Sequence, residues 1–239
     1  MTDDTGTTRW LFADQLGPHF DDGGPLLLIE ARSVFERRTY HRQKAHLILS
    51  ALHHRAAEDP ERVTFVRSQT YAEGVATHRD SSDRDLDAIA ATSRPARRLV
   101  ERLGLSTIHP ERGWFTTPGE FQAWVTGRGD KRLLMEDWYR GVRSRHDVLM
   151  ADGKPEGGKW NFDHDNRLPP PKGETHLPVP TPWQPVEDDI DAQVRQQLDE
   201  WEAQGIRFLG QDGPRRFAVT RSEAEAALDD FLDNRLTLF

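Results

Sequence analysis

Residues 9–31 read RWLFADQLGPHFDDGGPLLLIEA, and this stretch decides the fold. It holds two continuous apolar runs, Trp10-Leu11-Phe12 and Leu26-Leu27-Leu28-Ile29, separated by a loop rich in glycine and aspartate. Runs without polar alternation suit strands buried on both faces, as in a parallel sheet. The reading places strands at Arg9–Ala13 and Pro25–Ala31. Parallel strands need long crossovers, and helical patterns follow where those would lie. Tyr40–Ala57 carries Leu47, Ile48, Ala51 and Leu52 at helical spacing. Further strands are expected at Arg62–Arg67, Leu86–Thr92 and Leu105–His109, with a helix at Pro95–Leu103. Strands alternating with helices predict a Rossmann-like α/β fold, a five-stranded parallel sheet with helices on both faces.

Beyond the sheet, Thr117-Pro118-Gly119-Glu120 is a helix start with a cap, a first-turn proline and a capping-box glutamate. Another helix is expected over Leu133–Arg145. Residues 147–186 form an irregular, Pro-rich connector, since the prolines between 169 and 185 exclude a helix or a central strand. Trp160, Phe162 and Trp183 predict that it is pinned to a folded surface. Two helices close the chain. The first, about Asp188–Gln204, lines up Ile190, Val194, Leu198 and Trp201. The second is capped by Thr220 and presents Ala224, Ala227, Leu228, Phe231 and Leu232 on one face. The expected organisation is therefore 8–146, 147–186 and 187–239.

The chain of 239 residues has a net charge of −8 and no cysteine. The charge argues against a free-standing DNA binder, which usually carries a basic face. Disulfides, thiolate zinc sites and cysteine-held clusters are excluded within these residues. No run is long enough for a membrane span, and MTDDTGTTRW is no secretory signal. A cytoplasmic location is the default reading.

No Walker A, GxGxxG, GxSxG or HExxH pattern occurs, and no catalytic or metal-binding residue is assigned. Asp163, His164 and Asp165 read either as metal ligands or as side chains that hold their own loop. The basic stretch Arg37, Arg38, His41, Arg42, Lys44 and His46 reads as a solvated helix start or as a phosphate-binding patch. Ligands of such sheets bind outside the carboxyl ends of the strands. That singles out Asp14, Glu30 and the segment Thr92–Pro95, although a lone carboxylate there also caps turns.

Several blocks resemble the photolyase and cryptochrome superfamily, in its iron–sulfur bacterial cryptochrome and (6-4) photolyase branch. These are Phe12-Ala13-Asp14-Gln15-Leu16, Tyr40-His41-Arg42-Gln43-Lys44 and Met135-Glu136-Asp137-Trp138-Tyr139-Arg140. Gly157-Gly158-Lys159-Trp160-Asn161-Phe162-Asp163 with Asn166-Arg167, and Phe217-Ala218-Val219-Thr220-Arg221, complete the set. The resemblance implies the amino-terminal half of a light-dependent DNA-repair protein or photoreceptor. It implies a lumazine-like antenna chromophore in this half, at Ala13, Asp14, Ile29, Glu30, Ser93 and Arg94. Ala13 stands where the pattern has glycine, and Val34 where the lumazine-binding branch places a glutamate. FAD, an iron–sulfur cluster and the contact with damaged DNA are expected in a carboxy-terminal half outside these residues. The face of the last helix is expected to pack on that half or to self-associate. A stand-alone ligand-binding or interaction module of the same fold is the alternative.

Overall fold

The two apolar runs become the inner strands of a parallel sheet. β1 (Thr7–Leu11) lies beside β2 (Leu26–Ala31), with Trp10 opposite Leu27. Every residue of β2 is buried, which accounts for its unbroken apolar run. The structure is a computed structural model, and it describes residues 6–164, 172–173 and 179–238. Asp165, Asn166, Arg167 and Pro169-Pro170-Pro171, singled out above, lie outside the described residues.

The chain continues through α1 (Ser33–Glu36), β3 (Tyr40–His41), α2 (Arg42–Glu58), β4 (Val63–Ser68), α3 (Tyr71–Ser81), β5 (Asp85–Ile89), α4 (Arg94–Leu103) and β6 (Thr107–His109). The main sheet has the order β4-β2-β1-β5-β6, with every neighbouring pair parallel. This is the doubly wound Rossmann-like fold. Strand order reverses between β1 and β5, so their carboxyl ends flank the switch point at which such sheets take ligands. On one face Trp10, Leu27, Ile29 and Ala88 pack with Val75 of α3 and Val100 of α4. On the other, Leu11, Leu26, Leu28 and Ile89 pack with Leu52 of α2.

Of the local outcomes that differ from the sequence reading, two bear on the edge of the sheet. β1 and β5 stop at Leu11 and Ile89, two or three residues early. Past Leu11 the backbone turns, because Gln15 N–H donates to Phe12 O (2.8 Å) and Phe12 N–H to Gln15 Oε1 (3.3 Å). The second is α3, to which the sequence reading assigned no element. Among its residues only Gly74, Val75 and His78 are buried, so its apolar stripe is thin. Gly74 permits close approach to the sheet, since a Cβ there would meet Ile29 Cγ2 at 2.6 Å.

The described residues fall in two compact units, one within Met1–Arg112 and Val179–Phe239, the other within Gly113–Pro178. The smaller unit contains α5 (Pro118–Arg128), α6 (Met135–His146), β7 (Met150–Ala151) and β8 (Lys154–Pro155). The capping box at Thr117 and Glu120 is present. Trp124, Phe121 and Trp138 join α5 to α6, with ring centroids 5.3 Å apart for both contacts to Trp138. Asp152-Gly153, at φ 50° and 71°, makes the tight turn of the β7–β8 hairpin. Arg143 is the hub of this unit. It donates to the carbonyls of Val148 (3.1 Å), Leu149 (2.6 Å) and Trp160 (2.7 Å), which pins the first part of the connector through its backbone, while the Phe162 side chain is exposed.

The remaining elements, α7 (Asp189–Ala203), β9 (Phe208–Leu209) and α8 (Arg221–Asn234), belong to the larger unit. Val194, Leu198 and Trp201 of α7 pack with Phe35, Ala45 and Leu49 into a third core. Leu198 is completely buried, which contributes roughly 1.5–3 kcal/mol. β9 pairs in parallel with β3. On α8, Leu228 and Leu232 are 54% and 46% exposed, so part of its apolar face stays uncovered. Among the described residues no helix is long and apolar enough to cross a membrane.

Candidate functional site

The switch point is built by the turn after β1 and the loop after β5. Gln15 is buried and joins them: its Nε2 donates to Ile89 O (3.3 Å) while its Oε1 holds Phe12 N–H. This locks the Phe12–Gln15 turn and leaves Asp14 exposed at the edge. Thr92 Oγ1 donates to Asp14 Oδ2 (2.9 Å), so the two sides of the crevice meet there. Ser93 caps α4 by accepting from Ala96 N–H (3.3 Å), and Arg94 is exposed beside it.

Tyr71, the first residue of α3, forms a wall of this edge. Its ring lies 5.4 Å from Phe12 and 5.5 Å from Trp10. Burial pushes its phenol up to about 12, and the neighbouring Tyr40 and Asp14 add to that effect. Tyr71 therefore stays a neutral hydroxyl across the physiological range. Neither Tyr71 nor Gln15 was singled out from the sequence. Gln15 follows Asp14 directly, but only the fold brings it to β5.

The six expected antenna residues divide into four groups. Asp14, Ser93 and Arg94 are exposed at the sheet edge. Ala13 is half-buried and packs against the core on the α2 face. Ile29 is fully buried in the opposite core. Glu30 is buried among named partners: His53 Nε2 (2.6 Å), Arg67 Nε (3.1 Å) and Gln197 Nε2 (2.5 Å). Burial alone would raise the Glu30 carboxyl. The bond to His53 and the charge of Arg67 outweigh it, and the group lies below its ordinary value.

A second polar cluster lies between α2 and α7. Asp191 is fully buried. Its Oδ1 meets His46 Nε2 (2.9 Å) and Ser50 Oγ (2.8 Å), and its Oδ2 accepts from Arg215 Nε (3.1 Å). Burial raises this carboxyl, but the bonds from Ser50 and His46 and the charge of Arg215 bring it below the usual range. Arg215 also holds Glu223 in a two-bond pair (2.7 and 2.9 Å). Two members of the basic stretch are thereby accounted for, since Arg42 pairs with Asp199 and Glu202 and His46 with Asp191. Ligand atoms of His54, Asp188 and Asp191 lie within 4.8 Å of one another, a spacing that could hold a metal. Each is already engaged, however. His54 Nδ1 lies 2.7 Å from Ser50 O, Asp188 caps α7, and Arg215 brings a positive charge to Asp191. The cluster is a structural joint.

A doubly wound parallel sheet with a polar, solvent-facing switch point places the chain in the Rossmann-like α/β class. The family model for the deoxyribodipyrimidine photo-lyase-related protein matches residues 9–207, and the chain belongs to that family. It is 29% identical over 254 residues to a (6-4) photolyase of Agrobacterium fabrum, an alignment that takes in 96% of this chain and 48% of that protein. The chain spans about half the length of this curated relative.

Proposed function

We propose that this chain is the antenna-bearing α/β portion of a photolyase-type flavoprotein, and that its chromophore lies at the carboxyl ends of β1 and β5. The observation that carries this reading is the Asp14–Thr92 contact at the switch point. One Asp14 oxygen accepts from Thr92, which leaves the other to accept from a ring N–H or a ribityl hydroxyl. The half-buried Tyr71 ring, backed by the buried Phe12, supplies an apolar wall suited to a flat heterocycle. Such a ligand would harvest light, while these residues orient it and keep one side dry. Flavin and iron–sulfur chemistry, and recognition of damaged DNA, are assigned to residues outside this chain. Its lack of cysteine leaves no thiolate for a cluster.

Fluorescence titration of the 239-residue chain with a ribityl-lumazine and with riboflavin tests the reading. Saturable binding that weakens at least tenfold in Asp14→Ala is the expected result. No binding of either chromophore, or equal binding by the variant, would overturn it.

A further inference from the structure

A groove of about 270 Å³ opens at the carboxyl edge of β2, lined by Arg32, Phe35, Glu36, Thr39, Gln204 and Arg207 among others. Arg32 directly follows the last residue of β2. Its guanidinium is fixed by Glu36 Oε1 (3.0 Å) and Gln204 Oε1 (2.5 Å) and stands 5.8 Å from the centre of the Trp201 ring. Among the described residues two of its five N–H donors are engaged in these bonds, which leaves three for a ligand. Glu36 is the one carboxylate in the lining, and it is held by Arg32 and by Gln69 Nε2 (2.6 Å). Arg207, also in the lining, is exposed. Arg37 and Arg38, both exposed, lie in the chain between the lining residues Glu36 and Thr39. Neither Arg38 nor Arg207 forms an ion pair among the described residues.

Arg32 and Arg207 thus line the groove with one neutralised carboxylate, and Arg37 and Arg38 lie in the adjoining segment, in a chain whose net charge is −8. A planar guanidinium held in place by its neighbours binds tetrahedral oxyanions through paired, charge-assisted hydrogen bonds. The threonine hydroxyl adds a further donor, and the floor of Phe35 and Ile206 is apolar. We propose that this groove is a phosphate-binding subsite for a phosphomonoester or diphosphate, either free or carried on a small ligand. The cations that serve it come from two segments far apart in sequence, Arg32–Arg38 and Arg207. Of the basic stretch noted in the sequence, only its first two residues take part. Arg42 and His46 are spent on structural pairs.

The test uses calorimetric titration of the whole chain with inorganic pyrophosphate, sulfate, FMN and riboflavin. The expected result is that pyrophosphate binds at least tenfold more tightly than sulfate. Arg38→Gln with Arg207→Gln should remove most of that affinity, by tenfold or more, with an unchanged melting temperature because both side chains are exposed. FMN binding more tightly than both riboflavin and pyrophosphate would assign the phosphate to a ring-bearing ligand. FMN equal to pyrophosphate would assign the site to phosphate itself. Either outcome supports the proposal and is independent of Asp14. Pyrophosphate binding no better than sulfate, or full affinity in the double variant, overturns it. So does a twelve-nucleotide single strand that outcompetes FMN, since that would mark a nucleic-acid surface instead.

Discussion

Asp14 and Asp191 are both aspartates near the ends of regular elements, and their surroundings differ in every physical respect. Asp14 is exposed and, among the described residues, takes one hydrogen bond, from Thr92. Asp191 is fully buried and is met by His46, Ser50 and Arg215 as well as by the backbone of Asp188. A buried carboxylate without partners costs several kcal/mol, so the α2–α7 joint has to be complete in order to exist. The edge of the sheet has no such requirement, and its spare hydrogen-bonding capacity is what a ligand can use. Polar groups with every bond satisfied describe architecture, and polar groups with capacity left over at a switch point describe function.

The largest effect should come from breaking the joint. Arg215→Ala leaves Asp191 as a buried charge without its ion-pair partner, and the expected loss is about 3–5 kcal/mol. Chemical denaturation measures this. Ligand affinity per folded molecule should not change, which separates the joint from the edge.

Gly74→Ala comes next and couples the two regions. Its Cβ would press on Ile29 Cγ2 at 2.6 Å, an overpacking cost of roughly 1–3 kcal/mol. Because α3 carries Tyr71, the same change should move that wall and weaken chromophore binding. Unaltered affinity in a destabilised variant would remove Tyr71 from the site.

Acid should loosen the joint before the sheet. Arg195 holds the Glu187 carboxyl down to about 2, against an ordinary value of 4.5. A carboxyl depressed in the folded state adds stability that is present above about 4.5 and lost as the pH falls toward about 2. Asp191 is shifted in the same direction. Hydrogen exchange in α7 should therefore accelerate over that window while β1 keeps its protection. Equal acceleration in both would mean that the joint is not a separate acid-labile element.

Asp14→Ala should have the smallest effect on stability. It removes one exposed hydrogen bond, and the expected change is within about 0.5 kcal/mol. A larger loss, seen in the melting temperature without ligand, would move Asp14 to the architectural side of the comparison.

The sheet was legible because unbroken runs such as Leu26-Leu27-Leu28-Ile29 have few other uses, and the apolar face of α7 was legible from its period. α3 was not, since its buried residues are only Gly74, Val75 and His78, and a glycine leaves no periodic trace. Asp14 and Glu30 look alike in sequence, each a carboxylate after an apolar run. What separates them is Gln197, 167 residues beyond Glu30, together with His53 and Arg67. No local pattern encodes so distant a partner. His46 posed the same difficulty, because its partner Asp191 lies 145 residues away and turns a basic surface residue into a core one.

The most direct measurement is amide chemical-shift mapping of the chain during titration with ribityl-lumazine and riboflavin. Shifts are expected at residues 12–15, at Tyr71 and at residues 90–94, with α7 and the segment around Arg215 unmoved. Shifts centred on the α2–α7 joint or within Gly113–Pro178, with the edge of β1 and β5 silent, would contradict this.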